Sequence, residues 1–458
     1  MTDIVDVVII GAGPAGMAAA IAARKHQLSC VVLDEQPMPG GQIFRNITSP
    51  IGDDKARILG KDYLAGRTVV EEFLACGANY LPRSSVWGVE EGTVHFVRDG
   101  VSRSVVGRAV VGAIGAMERP YPVPGWTLPG VMTAGAAQII LKSSDVLAKD
   151  AVFVGTGPLL YLVSAQYIRA GFQPRAIIDT SAGLGSAVFR SIPSVVQGIP
   201  YLVKGASMFA AIRASGTPWI HGASDIEFRG DGQVEAVRYR QGGRAHEIAT
   251  STVFMHQGLV PNPNLGRSLR CEYFWDESQM CFRPVRGPSG RTSLDWFWMV
   301  GDCGGIFGAK AALLAGELAG NEIAQVLGKI SGATHTQAAT PLMKRLGKDV
   351  AIRTFLERAY RPPTNLKSSA DDPVIVCRCE EVTRGEVVQA MSEGCMGPNQ
   401  LKAFSRCGMG PCNGRMCGPT VTDLMARTAN QSHEDCGYFR IRQPIKPLTV
   451  AELAQTEN

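Results

Sequence analysis

The turn Gly11-Ala12-Gly13-Pro14-Ala15-Gly16 narrows the folds open to this chain more than any other stretch. An apolar, β-branched run at residues 4–10 leads into it, and an Ala-rich stretch at residues 17–24 follows. That order predicts strand, tight turn and helix. Gly11 lets the chain leave the strand sharply, Gly13 leaves bare backbone for a pyrophosphate, and Gly16 lets helix and strand approach. The helix start, at Pro14 and Ala15, offers unpaired N–H groups and the positive end of its dipole to a phosphate. A second apolar run, residues 31–33, ends in Asp34, where a carboxylate would meet a ribose, with Glu35 and Gln36 beside it.

Such a cradle holds either FAD or NAD. Two further stretches favour FAD. Pro39-Gly40-Gly41-Gln42 comes just after the ribose acid, where a flavin rather than a nicotinamide would continue. Far downstream, the apolar residues 296–300 end in Gly301-Asp302, followed by a glycine-rich turn and an Ala-rich helix from about Gly308, with Ala309 at its start. This resembles the second FAD motif of two-dinucleotide-fold flavoproteins. The resemblance implies that Asp302 binds the ribitol chain and that the helix start faces the pyrimidine end of the flavin, favouring its anionic reduced form.

Between these motifs the pattern changes. Residues 53–76 read as helical, and residues 86–106 alternate as a β-meander with turns at Glu91-Gly92 and Asp99-Gly100; Val86, at its start, is counted among the cofactor contacts. Ala113-Ile114-Gly115-Ala116, before Glu118-Arg119-Pro120, resembles the segment that closes the FAD domain in this class, placing Ala113 and Gly115 beside the cofactor. Ile114 replaces the usual Thr, so one hydrogen-bonding side chain is missing. A proline-rich stretch, residues 120–129, then marks a crossing to a second fold with Gly155 and Gly157 after an apolar run. Leu160 stands where a third glycine belongs, and its branched side chain pushes the helix from the strand. Asp179 ends the next apolar run. This fold is read as binding a nicotinamide, as binding another adenine nucleotide, or as degenerate. Residues 224–254 read as a second meander, and His256-Gln257-Gly258-Leu259-Val260-Pro261-Asn262 resembles the return segment of the same class. His256 is read either as a flavin neighbour or as a structural histidine. No CxxC or CxxxxC pair follows Gly41 or lies in the second fold, which excludes the dithiol chemistry of thioredoxin reductase and glutathione reductase.

With 458 residues the chain has room for two or three domains. A net charge of +5, without a basic stripe interleaved with aromatics, gives nucleic-acid binding no support. No 18-residue apolar run and no signal-peptide pattern occur, so a soluble, cytoplasmic protein is expected, with peripheral contact to the inner membrane left open. Residues 329–372 are polar, with a basic helix at 344–361 ended by Pro362-Pro363, and read as a linker that also covers a surface.

Seven of the twelve cysteines fall between Cys377 and Cys436, which in a cytosolic chain points to metal. Cys377-Arg378-Cys379 opens this module, residues 384–392 read as helical, and Cys412 and Cys417 close it on a glycine-rich loop. Zinc usually prefers CxxC knuckles, whereas a CxC pair suits one iron of a [2Fe-2S] cluster with the second pair on the other iron. Zinc and reduced structural thiols remain alternatives. Arg378, Arg406 and Arg415 would offset the charge of four thiolates. Cys407, Cys412 and Cys417 are evenly spaced, so Cys407 with Cys412 makes an equal pair. The module's CRCEEVT start and GMGPCNGRMCGP end resemble the bacterioferritin-associated ferredoxin-like (BFD-like) [2Fe-2S] domain. That resemblance implies Cys377, Cys379, Cys412 and Cys417 as ligands and Cys407 as an extra.

The expected fold class is α/β: two Rossmann-like dinucleotide-binding domains of the FAD/NAD(P) flavoprotein type, one inserted in the other, plus a small C-terminal [2Fe-2S] domain. The expected divisions are residues 1–118 with 252–330 for FAD, 119–251 for the second fold, 331–372 as linker, 373–430 for the cluster and 431–458 as a tail. This order of parts closely resembles the FAD-containing A or α subunits of heteromeric bacterial amine and imino-acid dehydrogenases, a family that includes opine oxidase, D-hydroxyproline dehydrogenase, dye-linked L-proline dehydrogenase and the middle subunit of hydrogen cyanide synthase. The resemblance implies a D-amino-acid-oxidase-like partner subunit, with its own flavin, that oxidises the amine. A small third subunit is left open, and this chain would carry electrons onward. A self-sufficient NAD(P)H-dependent reductase is the alternative, against which Leu160 stands.

Overall fold

β-Branched residues apolar on both faces suit a strand covered from both sides, and Ile4–Ile10 lies in the middle of a seven-stranded sheet. The structure is a computed structural model that describes residues 4–181, 183, 191–363 and 372–455. In the sheet, Asn79–Pro82, Cys30–Asp34, Ile4–Ile10, Val101–Gly112, Thr93–Arg98 and Ser85–Glu90 lie side by side in that order. The long strand Val101–Gly112 serves two roles: its first half pairs antiparallel within the meander and its second half runs parallel to Ile4–Ile10 and to Phe297–Met299. Ile9 therefore stands opposite both Val32 and Val111. Two Ala-rich helices, Pro14–Lys25 and Ala309–Val326, cover one face. Small residues bring their backbones together: a methyl on Gly316 would fall 2.0 Å from the Ala15 carbonyl oxygen.

The second fold is a five-stranded, wholly parallel sheet in the order Trp219–His221, Ala176–Asp179, Val152–Thr156, Val253–Gln257, Val131–Thr133. The second meander forms its own antiparallel sheet of Ser224–Arg229, Ala236–Gln241 and Arg244–Ala249. Where the chain crosses between folds, Ala116–Glu118 pairs antiparallel with Leu259–Pro261.

The stretch read as a linker with a basic helix at 344–361 is arranged differently. Gly332–Val350 is a helix capped by Ser331, and Arg353–Ala359 is a second one. The reason is an apolar stripe that the basic residues masked: Ala339 and Leu342 bury against Leu314 and Leu318 of the Ala309–Val326 helix. Beyond it, Ile375–Cys377 and Val382–Thr383 form a small hairpin, and Arg384–Ser392 starts from a capping box of Thr383 and Glu386. Pro398–Ser405, Gly418–Thr428 and the short His433–Cys436 are further helices of this module, whose core takes in Cys436, Phe439 and Ile441 from the stretch read as a tail.

Candidate functional site

The first glycine turn is built as its spacing implies. A Cβ on Gly16 would lie 1.8 Å from the Gly11 carbonyl oxygen, and one on Gly11, at φ +105°, would lie 2.5 Å from that of Ala113. No side chain caps the Pro14–Lys25 helix at Gly13, so its first N–H groups are open to an anion. Asp34 is buried; its Oδ2 accepts the Ala12 N–H at 2.5 Å and its Oδ1 the Gln36 N–H at 2.7 Å. Burial raises its pKa against the pull of these donors. Gly41 packs against Gly13, so the glycine pair and the pyrophosphate turn form one surface. Arg45 ties Gln36 to Gln42 through both amide oxygens. Glu35 points elsewhere and pairs with Lys446. Val86 lies in the sheet core, two residues beyond Ser84, whose N–H bonds the Asp34 carbonyl.

Gly301 and Asp302 come to the same side of the sheet, a Cβ on Gly301 falling 2.8 Å from that of Ala15. Asp302 Oδ1 accepts the N–H groups of Phe307 and Gly308 at 2.9 and 3.0 Å, which shapes the turn before Ala309. Gly308 leaves that helix start uncapped too. A cavity of about 340 Å³ opens beside Gly301, lined by Arg283, Arg286, Phe307, Ala312 and Met343 among others. Bare backbone at two helix starts, a buried carboxylate and this space fit a dinucleotide with a flavin end.

Two cations that the sequence did not mark sit at this site. Lys142, from the Ala134–Ser144 helix, is buried and donates to the carbonyls of Gln42 and Ile43 at 3.2 and 2.8 Å and to Gln138 Oε1 at 2.9 Å. Burial, and then Arg45, lower its pKa to about 7. Arg353, from the region read as linker, reaches the helix start at Gly308, close enough to Asp302 to feel its charge. No local pattern marks either residue.

The second glycine turn is filled. Leu160 is fully buried, and the His256 ring lies against Gly157, where a Cβ would meet its Cδ2 and Nε2 at 3.1 and 3.2 Å. His256 is therefore a structural neighbour of Gly155 and Gly157, held by Glu118 Oε1 at 2.6 Å, while Glu118 Oε2 accepts the Gly135 N–H at 2.8 Å. Asp179 is spoken for as well, by the Ser181 N–H at 2.8 Å, His221 Nδ1 at 3.2 Å and the Tyr161 hydroxyl. The imidazole against Gly157 and the contacts of Asp179 leave this turn less open than the first.

Five thiols converge in the C-terminal module. The sulfurs of Cys377, Cys407 and Cys417 all lie within 4.8 Å of one another. Cys412 hydrogen-bonds Cys417 and Cys379, so the contacts continue outward to Cys379, the exposed member. Hydrogen bonds from Cys407 and Cys417 hold the Cys377 thiol far below its ordinary range, and Cys417, with backbone donors, brings Cys412 down to about 5. Burial raises the Cys379 thiol, and donation to Cys377 and its neighbours raises that of Cys417, so it is the convergence of soft sulfur donors that fits a thiolate-bound cluster. The four expected ligands come together, and Cys407, set aside as an extra, is packed among them.

The two halves meet at this loop. Asn264, on the short helix after the return segment, donates through Nδ2 to the carbonyls of Cys412 and Asn413 at 3.3 and 3.4 Å. Asn262, two residues earlier, donates its N–H to the Gly115 carbonyl at 3.2 Å. The Asn262–Asn264 backbone and the Asn264 side-chain amide thus join the closing segment of the first fold to the cysteine loop. Three residues on, Arg267 is boxed by Tyr273, Phe282 and Tyr438 at 4.4, 4.5 and 4.3 Å from the ring centroids. On the other side, Trp126 Nε1 bonds the Ile375 carbonyl at 2.7 Å.

Residues 5–316 match the pyridine nucleotide-disulphide oxidoreductase family and residues 375–427 the BFD-like [2Fe-2S] binding domain. The A subunit of opine oxidase from Agrobacterium tumefaciens (strain Ach5) is 40% identical, over 99% of this chain and 92% of that protein. The HcnB subunit of hydrogen cyanide synthase from Pseudomonas aeruginosa is 31% identical over 96% of each. Among solved structures, L-proline dehydrogenase from P. horikoshii shares the fold with a TM-score of 0.71 at 20% identity, over 98% of this chain and 79% of that one.

Proposed function

We propose, for a chain that belongs to the family of opine oxidase A subunits, flavin and iron–sulfur oxidoreductases, that it is the electron-transfer subunit of a heteromeric dehydrogenase acting on an opine or a related secondary amine or imino acid. A partner subunit, D-amino-acid-oxidase-like and carrying its own flavin, removes the hydride. This chain then passes electrons through a [2Fe-2S] cluster and FAD to an acceptor. The observation that carries the reading is the contact of Asn264 with the Cys412 and Asn413 carbonyls, which ties the first fold directly to the cysteine loop.

When bound, FAD takes or gives electrons in pairs or singly and the cluster carries one at a time. The chain's own residues supply the setting. Gly11, Gly13, Pro14, Ala15 and Gly16 seat the pyrophosphate, Asp34 the ribose, Gly301 and Asp302 the ribitol, and the Ala309 helix start the pyrimidine end. Ala113 and Gly115 border the ring beside Gly41 and Gln42. Cys377, Cys379, Cys412 and Cys417 hold the irons. No acid or base in this set is placed for substrate chemistry, which fits a chain whose substrate is an electron. Among the described residues no helix is long and apolar enough to cross a membrane; the reading places the chain in the cytoplasm, with any membrane contact peripheral.

The alternative, a self-sufficient NAD(P)H reductase, has to bring hydride in through the second fold, where His256 fills the glycine turn and Asp179 is engaged. Mixing the isolated protein with NADH or NADPH under anaerobic conditions should leave the flavin band unbleached. Supplying the amine together with the partner subunit should bleach it and raise a reduced-cluster EPR signal. Rapid bleaching by either nicotinamide alone would establish the reductase instead.

A further inference from the structure

Arg267 carries a charge that its own surroundings do not balance. It follows Asn264 by one turn on Asn264–Ser268, the short helix that touches the cysteine loop. Its Nε and Nη2 are shut off from solvent and, among the described residues, have no hydrogen-bond partner, and no carboxylate pairs with it. Other arginines that point inward are satisfied: Arg119 donates to the Met280 and Gln279 carbonyls at 2.9 and 2.6 Å, and Arg283 pairs with Asp276. Arg267 has instead the rings of Tyr273, Phe282 and Tyr438. Ring faces attract a cation without neutralising it, and an unpaired charge held away from water is costly.

The missing counter-charge belongs next door. Tyr438 has Arg267 over its ring and Gly418 against its hydroxyl, where a Cβ would fall 2.0 Å from the oxygen. Gly418 directly follows Cys417. A [2Fe-2S] cluster is an anion, because two ferric ions and two sulfides cancel only half the charge of four thiolates, and reduction deepens it. The cations of the module itself are engaged differently: exposed Arg406 pairs with Glu380 at 3.0 Å, and Arg378 lies over the Trp126 ring at 5.4 Å. Salt screens an exposed charge, and one walled in by rings much less.

We propose that Arg267 is the built-in counter-cation of the cluster, a guanidinium fixed in an aromatic box one ring away from the cysteine loop. This rests on the [2Fe-2S] reading above. The reduced cluster, one charge more negative, gains more from the cation than the oxidised one, so Arg267 raises the reduction potential and makes the cluster a readier acceptor. It touches no iron and acts as a positioning residue. The guanidinium keeps its proton in both states, and no bond forms or breaks.

Arg267→Met, Arg267→Gln and Arg267→Lys are compared with wild type in the full-length protein, each stripped of iron by a chelator and then reconstituted with ferrous iron and sulfide. Iron content, EPR-monitored redox titration and circular dichroism melting are read. Arg267→Met and Arg267→Gln should take up wild-type amounts of iron and titrate at a more negative potential, while Arg267→Lys, which keeps the charge, stays near wild type. Reconstitution should raise the melting temperature most in wild type and less in the two neutral variants, where the cluster meets no waiting cation. If the neutral variants titrate at the wild-type potential, or if Arg267→Lys shifts as far as they do, the proposal falls while the cluster reading stands. It falls equally if both neutral variants fail to fold around the cluster and Arg267→Lys does not, since the side chain is then a packing element. Wild-type protein that takes up zinc or no metal would overturn the cluster reading itself.

Discussion

At Gly16 one methyl group stands between an open cradle and a closed one. Alanine there would set its Cβ 1.8 Å from the Gly11 carbonyl oxygen and 3.2 Å from Ala113 Cβ, so the helix must back away from the strand that bears the turn. Overpacking of this kind costs roughly 1–3 kcal/mol. Gly16→Ala should purify with little flavin and melt at lower temperature, read from flavin absorbance per chain and from a thermal scan. Residues of this sort are legible in a sequence because their demands are local: a turn fixed by its neighbours declares itself within a few positions. Cys407 was not legible in the same way. Its spacing made it one of two equal candidates, and only the folded loop brings its sulfur within 4.8 Å of those of Cys377 and Cys417.

Among elements, the Ala134–Ser144 helix is the clearest case of a role hidden from sequence. Lys142 sits on an Ala-rich helix yet reaches carbonyls about a hundred positions away, at Gln42 and Ile43. Periodicity identifies such a helix and its buried face; it carries no information about a contact made so far along the chain. The lysine makes a pH-dependent clasp. Its folded-state pKa, about 7, lies below the ordinary 10.5, so between those values the unfolded chain binds more protons than the folded one. Stability should therefore rise with pH from about 7 to 10, by at most about 1.4 kcal/mol per pH unit for one group. Lys142→Met should flatten that rise, seen in urea midpoints measured at several pH values. The helix Gly332–Val350 gives the converse lesson. Its charged residues made it look like a covering linker, whereas the sparse stripe of Ala339 and Leu342 decides where it packs.

For the molecule as a whole, the order of two nucleotide folds and a cysteine module was plain from glycine turns and cysteine spacing. How the parts are joined was not, because those contacts link side chains to distant backbone. The final stretch illustrates this. Phe439 and Ile441 belong to the core of the cysteine module, and beyond them Gln443 Nε2 bonds the Val89 carbonyl at 2.6 Å and the Ile445 N–H bonds that of Trp87 at 2.8 Å. Ending the chain after Asn430 would empty two large buried positions, each worth roughly 2–5 kcal/mol. Iron should be lost from the truncated protein and flavin retained, as elemental analysis and absorbance would record.

The cysteine module is thus fastened at Trp126, at Asn264 and again through Gln443 and Ile445. It cannot work as a swinging arm that collects charge at one place and delivers it at another. On the electron-transfer reading proposed above, passage inside the chain is then a hop over a fixed gap, paced by driving force and distance rather than by diffusion of a tethered body. Thickening the solvent with sucrose or glycerol should accordingly leave the intramolecular rate unchanged in flash-reduction traces, while slowing the encounter with any outside acceptor.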